Sequence, residues 1–297
     1  MYISGFSDEI DKNIDIQFQV LNKLNIKFFE PRGIDGKNIS LLTLLEAKEL
    51  KNKMDKAGIK ASSIGSPIGK VDIKDAEKDF ELFKHIVEIA KILDCGFIRM
   101  FSFYNAYDSK DAVISALKRM ADYAEKEDIV LLHENEKNIY GDRAERCLEI
   151  LESVNSPNFK AVFDPANFVR CGEDTIKAFE MLKKYVAYMH IKDSREDGTI
   201  VPAGAGNGNI KFITDELKKD GYDGFLSLEP LLGTFDGLAD LELDNKMLKL
   251  EKGGENTFTL AYNSLKILLQ AWNTLWRWFF CLQRSVINSK IIQKVLS

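Results

Sequence analysis

The sequence predicts an α/β fold, a (β/α)8 barrel. Three observations carry this: eight short apolar runs, an amphipathic helical pattern after each, and polar residues where the later runs end. Strands that alternate with helices pair in parallel, and eight such units close into a barrel. A doubly wound open sheet is the competing arrangement. Against it, no GxGxxG follows the first run, and eight units are many for an open sheet.

The runs are YISGF (2–6), IKFFEPR (26–32), KASSIG (60–65), GFIRMFS (96–102), IVLLHENE (129–136), FKAVFDPAN (159–167), VAYMHIKD (186–193) and GFLSLEP (224–230). Between them, apolar residues recur at three- and four-residue spacing, as a helix face requires. Phe80, Phe83, Ile86, Val87, Ile89 and Ala90 make one such face; Ile114, Leu117, Met120, Ala121 and Ala124 make another. Gly and Asp punctuation closes several helices, as in MDKAGIKA, ILDCGF and KKDGYDGF. With no linker or composition shift before residue 271, residues 1–270 read as a single barrel domain.

The last 27 residues, AWNTLWRWFFCLQRSVINSKIIQKVLS (271–297), are of another kind. They hold all three tryptophans and no acid, Gly or Pro. One reading is a basic amphipathic helix for a partner subunit or a membrane surface. The favoured reading is a tail unrelated to the fold, such as a shifted reading frame or a lineage-specific extension.

Net charge is −5 over 297 residues, but the tail contributes four basic residues, which leaves 37 basic against 46 acidic residues, −9, for residues 1–270. An acidic body lacks the basic footprint of a nucleic-acid groove. No uncharged apolar run reaches 18 residues, so no membrane span is expected. Cys95, Cys147, Cys171 and Cys281 show no CxxC spacing and read as small core residues. The start shows no charged segment followed by an apolar one, and a reducing cytoplasm fits these features.

The chemistry gathers where the last four runs end. Glu134 closes the fifth, Asp164 the sixth, His190 the seventh and Glu229 the eighth, at spacings of 30, 26 and 39 residues. Each spacing is one strand–helix unit, so the four side chains fall side by side at the barrel mouth, where such folds carry their sites. Three carboxylates that close together repel unless a cation intervenes. Three oxygens and one imidazole suit Mn, Mg, Co or Zn as a divalent ion.

Other strand-end residues are open to two readings. Lys192 and Asp193 either orient substrate or form the solvated exit of the seventh strand. Glu30 either contacts substrate or pairs with Arg99 inside the barrel. VPAGAGNGNI (201–210) either cradles an anion through backbone N–H groups or is simply a turn. His85, in mid-helix, reads as non-functional.

The order Glu134, Asp164, His190, Glu229, together with LLHENE, FDPANFVRCGED, YMHIKDS, VPAGAGNGNI and LSLEP, resembles the sugar-phosphate isomerase/epimerase superfamily, the xylose isomerase-like TIM barrels. The resemblance spans roughly residues 1–270. It implies one divalent metal held by those four residues, with Glu134 and Glu229 doubling as the acid/base pair. It places Asn167 where several ketose epimerases carry a substrate-contacting His. It also departs at GAGNG, where relatives carry acidic residues and this chain has Ala205 and Asn207. A chain with three His does not suit the superfamily's endonuclease branch.

The expected function is metal-dependent isomerisation or epimerisation of a small sugar through an enediolate, one glutamate removing a proton and the other returning it. An inosose-dehydratase-like lyase is the alternative within enzymes, and a catalytically silent sugar-binding barrel the alternative outside them. A small-molecule sugar is the expected partner. Barrels of this kind commonly pair, which allows a homo-oligomer.

Overall fold

Eight strands with helices between them form the frame of the computed structural model, which describes residues 1–236, 238 and 251–270. The barrel strands are β1 (Tyr2–Gly5), β2 (Phe28–Phe29), β3 in two pieces (Lys60–Ala61 and Ile64–Gly65), β4 (Phe97–Met100), β5 (Val130–Glu134), β6 (Phe159–Phe163), β7 (Val186–Ile191) and β8 (Phe225–Leu228). One curled parallel sheet runs β1-β8-β7-β6-β5-β4-β3. β2 pairs in parallel with the first piece of β3. The Glu30 N–H donates to Gly5 O at 2.9 Å, and this joins β2 to β1 and closes the ring. The sequence-predicted (β/α)8 barrel is therefore the observed one.

The helices are α1 (Ile14–Lys23), α2 (Leu44–Ala57), α3 (Ala76–Ile92), α4 (Lys110–Lys126), α5 (Ala144–Val154), α6 (Pro165–Arg170), α7 (Thr175–Leu182), α8 (Ile210–Lys219) and α9 (255–270). Local chemistry fixes their ends. Thr43 and Glu46 form a reciprocal capping box at the start of α2, and Gly58 ends that helix in the left-handed region at φ 66°.

Strand periodicity sorts the core into two layers. Outward residues such as Leu131, Met189 and Leu226 join helix residues such as Phe83, Leu117 and Ile213 in the main core. Inward, Leu132, Val162 and Tyr188 form a separate cluster with Phe97, Val130 and Phe225. Each fully buried side chain of this size stabilises the fold by about 1.5–3 kcal/mol. This second cluster is the floor on which the polar residues stand.

All eight strands are shorter than the apolar runs that mark them, and three illustrate how. KASSIG breaks at Ser62 and Ser63. IKFFEPR keeps only Phe28–Phe29 as strand. FKAVFDPAN stops at Phe163 because Asp164 caps α6 and Pro165 is its first residue, where a missing N–H costs nothing. The 271–297 tail, with Cys281, lies outside the described residues.

His133 points away from the barrel axis, stacked on Phe159 at 6.3 Å, and is 1% exposed. Burial lowers its pKa to about 4, with Glu134 opposing. Below pH 6.5 the unfolded chain takes up a proton that the folded chain refuses, so stability falls as pH drops towards 4. This one group should account for about 3 kcal/mol of that loss. Urea unfolding of wild type and His133→Gln between pH 7 and 4.5 checks it: the variant should show a shallower decline, and an equal decline would refute the assignment.

Candidate active site

The strand register brings the sequence-predicted ligands together. Glu134 ends β5 opposite Val162, Phe163 pairs with Met189, and Ile191 pairs with Leu228. Glu134, Asp164, His190 and Glu229 therefore converge, each offering a donor atom within 4.8 Å of the others, and all are buried. His190 turns Nδ1 toward the group, 2.9 Å from Glu134 Oε1, 3.7 Å from Glu229 Oε2 and 3.9 Å from Asp164 Oδ2.

Cations surround these carboxylates. Arg99 Nη1 donates to Glu134 Oε2 at 2.8 Å. Lys192 Nζ donates to Glu229 Oε2 at 2.8 Å and stands 3.0 Å from Asp164 Oδ2 without hydrogen-bond geometry. Arg32 Nη1 donates to Glu229 Oε1 at 3.1 Å. The same guanidinium grips Asp8 bidentately at 2.9 and 3.0 Å, touches Glu9 at 3.4 Å and lies over the Phe6 ring.

This field splits the carboxylates. Burial pushes Glu134 up, but His190 and Arg99 overcome it and hold the group well below the usual carboxylate range. For Glu229, burial is likewise outweighed, by Lys192, His190 and Arg32, and its pKa falls to about 2. Asp164 goes the other way, to about 7, because burial and its two carboxylate neighbours outweigh Lys192. Burial also carries Glu9 to about 8 despite Arg32. Three carboxylates and an imidazole in this compass form a hard, oxygen-rich donor set, and Asp164 Oδ2 accepts no hydrogen bond. The residues fit a divalent cation.

Asn167 reaches the site from α6, its Nδ2 donating to Glu134 Oε1 at 3.3 Å and to Asn135 O at 2.9 Å, with Oδ1 buried and unpartnered. Two other candidates are placed differently from expectation. Asp193 does not face the mouth: its Oδ2 accepts from the N–H groups of Gly204 and Gly206 at 2.8 and 3.1 Å, and Oδ1 from Gly208 and Ser194, each at 2.9 Å. A Cβ on Gly206 would stand 2.4 Å from Asp193 Oδ1, so glycine is needed for this approach. The amides that an external anion would use are thus taken by an internal one, which corrects the anion-loop reading. Glu30 lies inside the barrel, 1% exposed, accepting from Tyr188 OH at 3.0 Å and Ser227 Oγ at 2.6 Å. The hydrogen bond of Arg99 goes to Glu134, so the Glu30–Arg99 pair, one of the two readings of Glu30, is not the one formed.

The sequence places Arg32 at a strand end and Asn135 beside Glu134 but assigns neither a role. Asn135 locks β5 to β6 through a reciprocal pair, Nδ2 to Asp164 O at 2.9 Å and Asp164 N to Oδ1 at 3.0 Å. The only signal was its place directly after Glu134.

An uncharacterized protein of Methanocaldococcus jannaschii is 28% identical over 165 residues, 53% of this chain and 55% of the relative, so the chain spans about half the length of the curated relative it matches. Among solved structures, a D-tagatose 3-epimerase-like protein superposes with a TM-score of 0.73 at 19% identity, over 92% of this chain and 99% of that one. The IOLI protein with a binding zinc atom gives 0.71 at 17%, over 91% and 99%. The probable 3-DHS dehydratase AsbF from Bacillus anthracis gives 0.64 at 19%, over 77% and 92%. At these identities the likeness is one of fold. The model of the xylose isomerase-like TIM barrel matches residues 18–244, and the chain belongs to that family.

Proposed function

We propose that the protein is a divalent-metal-dependent isomerase or epimerase of a small sugar or sugar derivative, with Glu134, Asp164, His190 and Glu229 as ligands. The observation that carries this is the convergence of four buried donor atoms within 4.8 Å on consecutive strands. The ion, Mn, Mg, Co or Zn, would polarise the substrate carbonyl and stabilise charge developing beside it.

The chain's own residues supply the rest. Glu134 ends β5 and Glu229 follows β8, strands separated by two others, which lets the pair flank a substrate held over the site. Arg99 and Lys192 keep both ionised before substrate enters, so Glu134 can accept a proton from carbon, while the Lys192 ammonium hydrogen-bonded to Glu229 supplies the proton returned on that side. Asn167 orients Glu134 and offers its unpartnered Oδ1 to a sugar hydroxyl. Lys192, 3% exposed, supplies a second substrate contact. A lyase is the second reading, favoured by one observation: the Lys192 ammonium beside Glu229 can give a proton to a departing hydroxyl.

Protein purified without chelator, assayed for metal and incubated with a ketose panel in D2O, tests the reading. About one metal per chain and deuterium at carbon next to the carbonyl are expected. Loss of 18 mass units from the product would indicate the lyase. Wild-type protein that binds no added ion would overturn the isomerase and leave a silent sugar-binding barrel.

A further inference from the structure

Beneath His190 lies a polar assembly drawn from five strands or strand ends. Ser4 Oγ and Ser62 Oγ are 2.5 Å apart, Ser62 Oγ is 2.8 Å from Tyr188 OH, and Ser62 also donates to Phe29 O at 2.9 Å. Tyr188 OH and Ser227 Oγ both donate to Glu30 Oε2. All of these residues are at most 2% exposed. Buried polar networks are retained only when satisfied, since each stranded group costs about 1–3 kcal/mol. This one ends on Glu30 Oε2, which stands 3.3 Å from His190 Nε2 without hydrogen-bond geometry, while Glu30 Oε1 and His190 Nε2 are both buried and unpartnered.

His190 is therefore flanked by carboxylates on both ring nitrogens. Nδ1 faces Glu134, Asp164 and Glu229 and hydrogen-bonds Glu134 Oε1 at 2.9 Å, so a cation held by these carboxylates would displace the Nδ1 proton and take its lone pair. That assignment requires the ring proton to sit on Nε2, next to Glu30. The rings of Phe6 and Tyr188 pack edge-on against His190 at 5.2 and 5.9 Å and keep it from rotating.

We propose that Glu30 is a positioning residue that holds the proton of His190 on Nε2 and thereby presents Nδ1 as the metal ligand. This rests on the metal-site reading above. The network holds Glu30 Oε2 in place with two hydroxyl donors, and Glu30 in turn selects the tautomer. It touches neither substrate nor metal. Carboxylates placed behind a ligating imidazole raise its basicity and fix its orientation, and losing one weakens metal binding about 10- to 100-fold.

The test uses Zn2+, which is diamagnetic, and the whole chain labelled with 15N-histidine. The three His of the sequence make the spectrum assignable. Zinc-loaded wild type should show His190 protonated at Nε2, and a proton on Nδ1 would overturn the proposal without any variant having to fold. Zinc affinity, measured by chelator competition, should fall about 10- to 100-fold in Glu30→Leu and less in Glu30→Gln, whose carbonyl still accepts. Glu30→Leu with folded circular dichroism and wild-type zinc affinity would overturn it. A wild type that binds no zinc would overturn the metal reading as well, so the two failures are distinguishable.

Discussion

Glu134→Gln should lose both the bound metal and proton exchange at carbon. The substitution removes one of three anionic donors and the base together, so kcat for the best ketose should fall by about 10³ or more. It also strands Arg99, whose guanidinium loses its charged partner inside the barrel. Breaking a buried pair from one side costs about 3–5 kcal/mol, so the variant should melt earlier than wild type. Adding Arg99→Met should recover stability and leave metal and activity absent. Metal content by mass spectrometry, deuterium exchange at carbon and the melting temperatures read the three effects. A variant that keeps a full complement of metal would remove Glu134 from the site.

The second large effect is expected at Arg32→Met. One guanidinium serves Asp8, Glu9 and Glu229, with side chains 3–8% exposed. Without it three carboxylates face one another, again with a loss of about 3–5 kcal/mol. The sign of the pH dependence follows. The uncompensated carboxyls bind protons more tightly folded than unfolded, so the variant's stability falls as pH rises, and its deficit should be greatest above pH 8 and smallest below pH 5. Glu9, already raised to about 8, gives the direction. Guanidinium denaturation at pH 5 and pH 8.5 decides it: a deficit equal at both would mean that packing over Phe6 matters more than charge.

The barrel was legible because periodicity reports which way side chains point. Inward Glu134 and outward His133 are adjacent letters, and only the alternation of a strand gives them opposite surroundings. The cluster of four candidate ligands was legible because one strand–helix unit separates each from the next. What could not be read was partner choice. Glu30 and Arg99 both stand at strand ends, and nothing in the letters tells that Arg99 turns to Glu134 while Glu30 turns to Tyr188 and Ser227. Asp193 looked like a mouth residue for the same reason: its bonds run to backbone N–H groups 11 to 15 residues away, and backbone amides leave no trace in a sequence. The FDPAN segment looked like strand because an apolar run does not reveal that its last Asp is also a helix cap.

The loop after β7 carries a consequence for how such barrels diversify. Its glycine amides already converge on one acidic group, and that group happens to be tethered to the chain as Asp193. A shift in ligand preference here would not require a new loop. Asp193→Gly would release three convergent N–H donors at once, which sulfate or phosphate could then occupy.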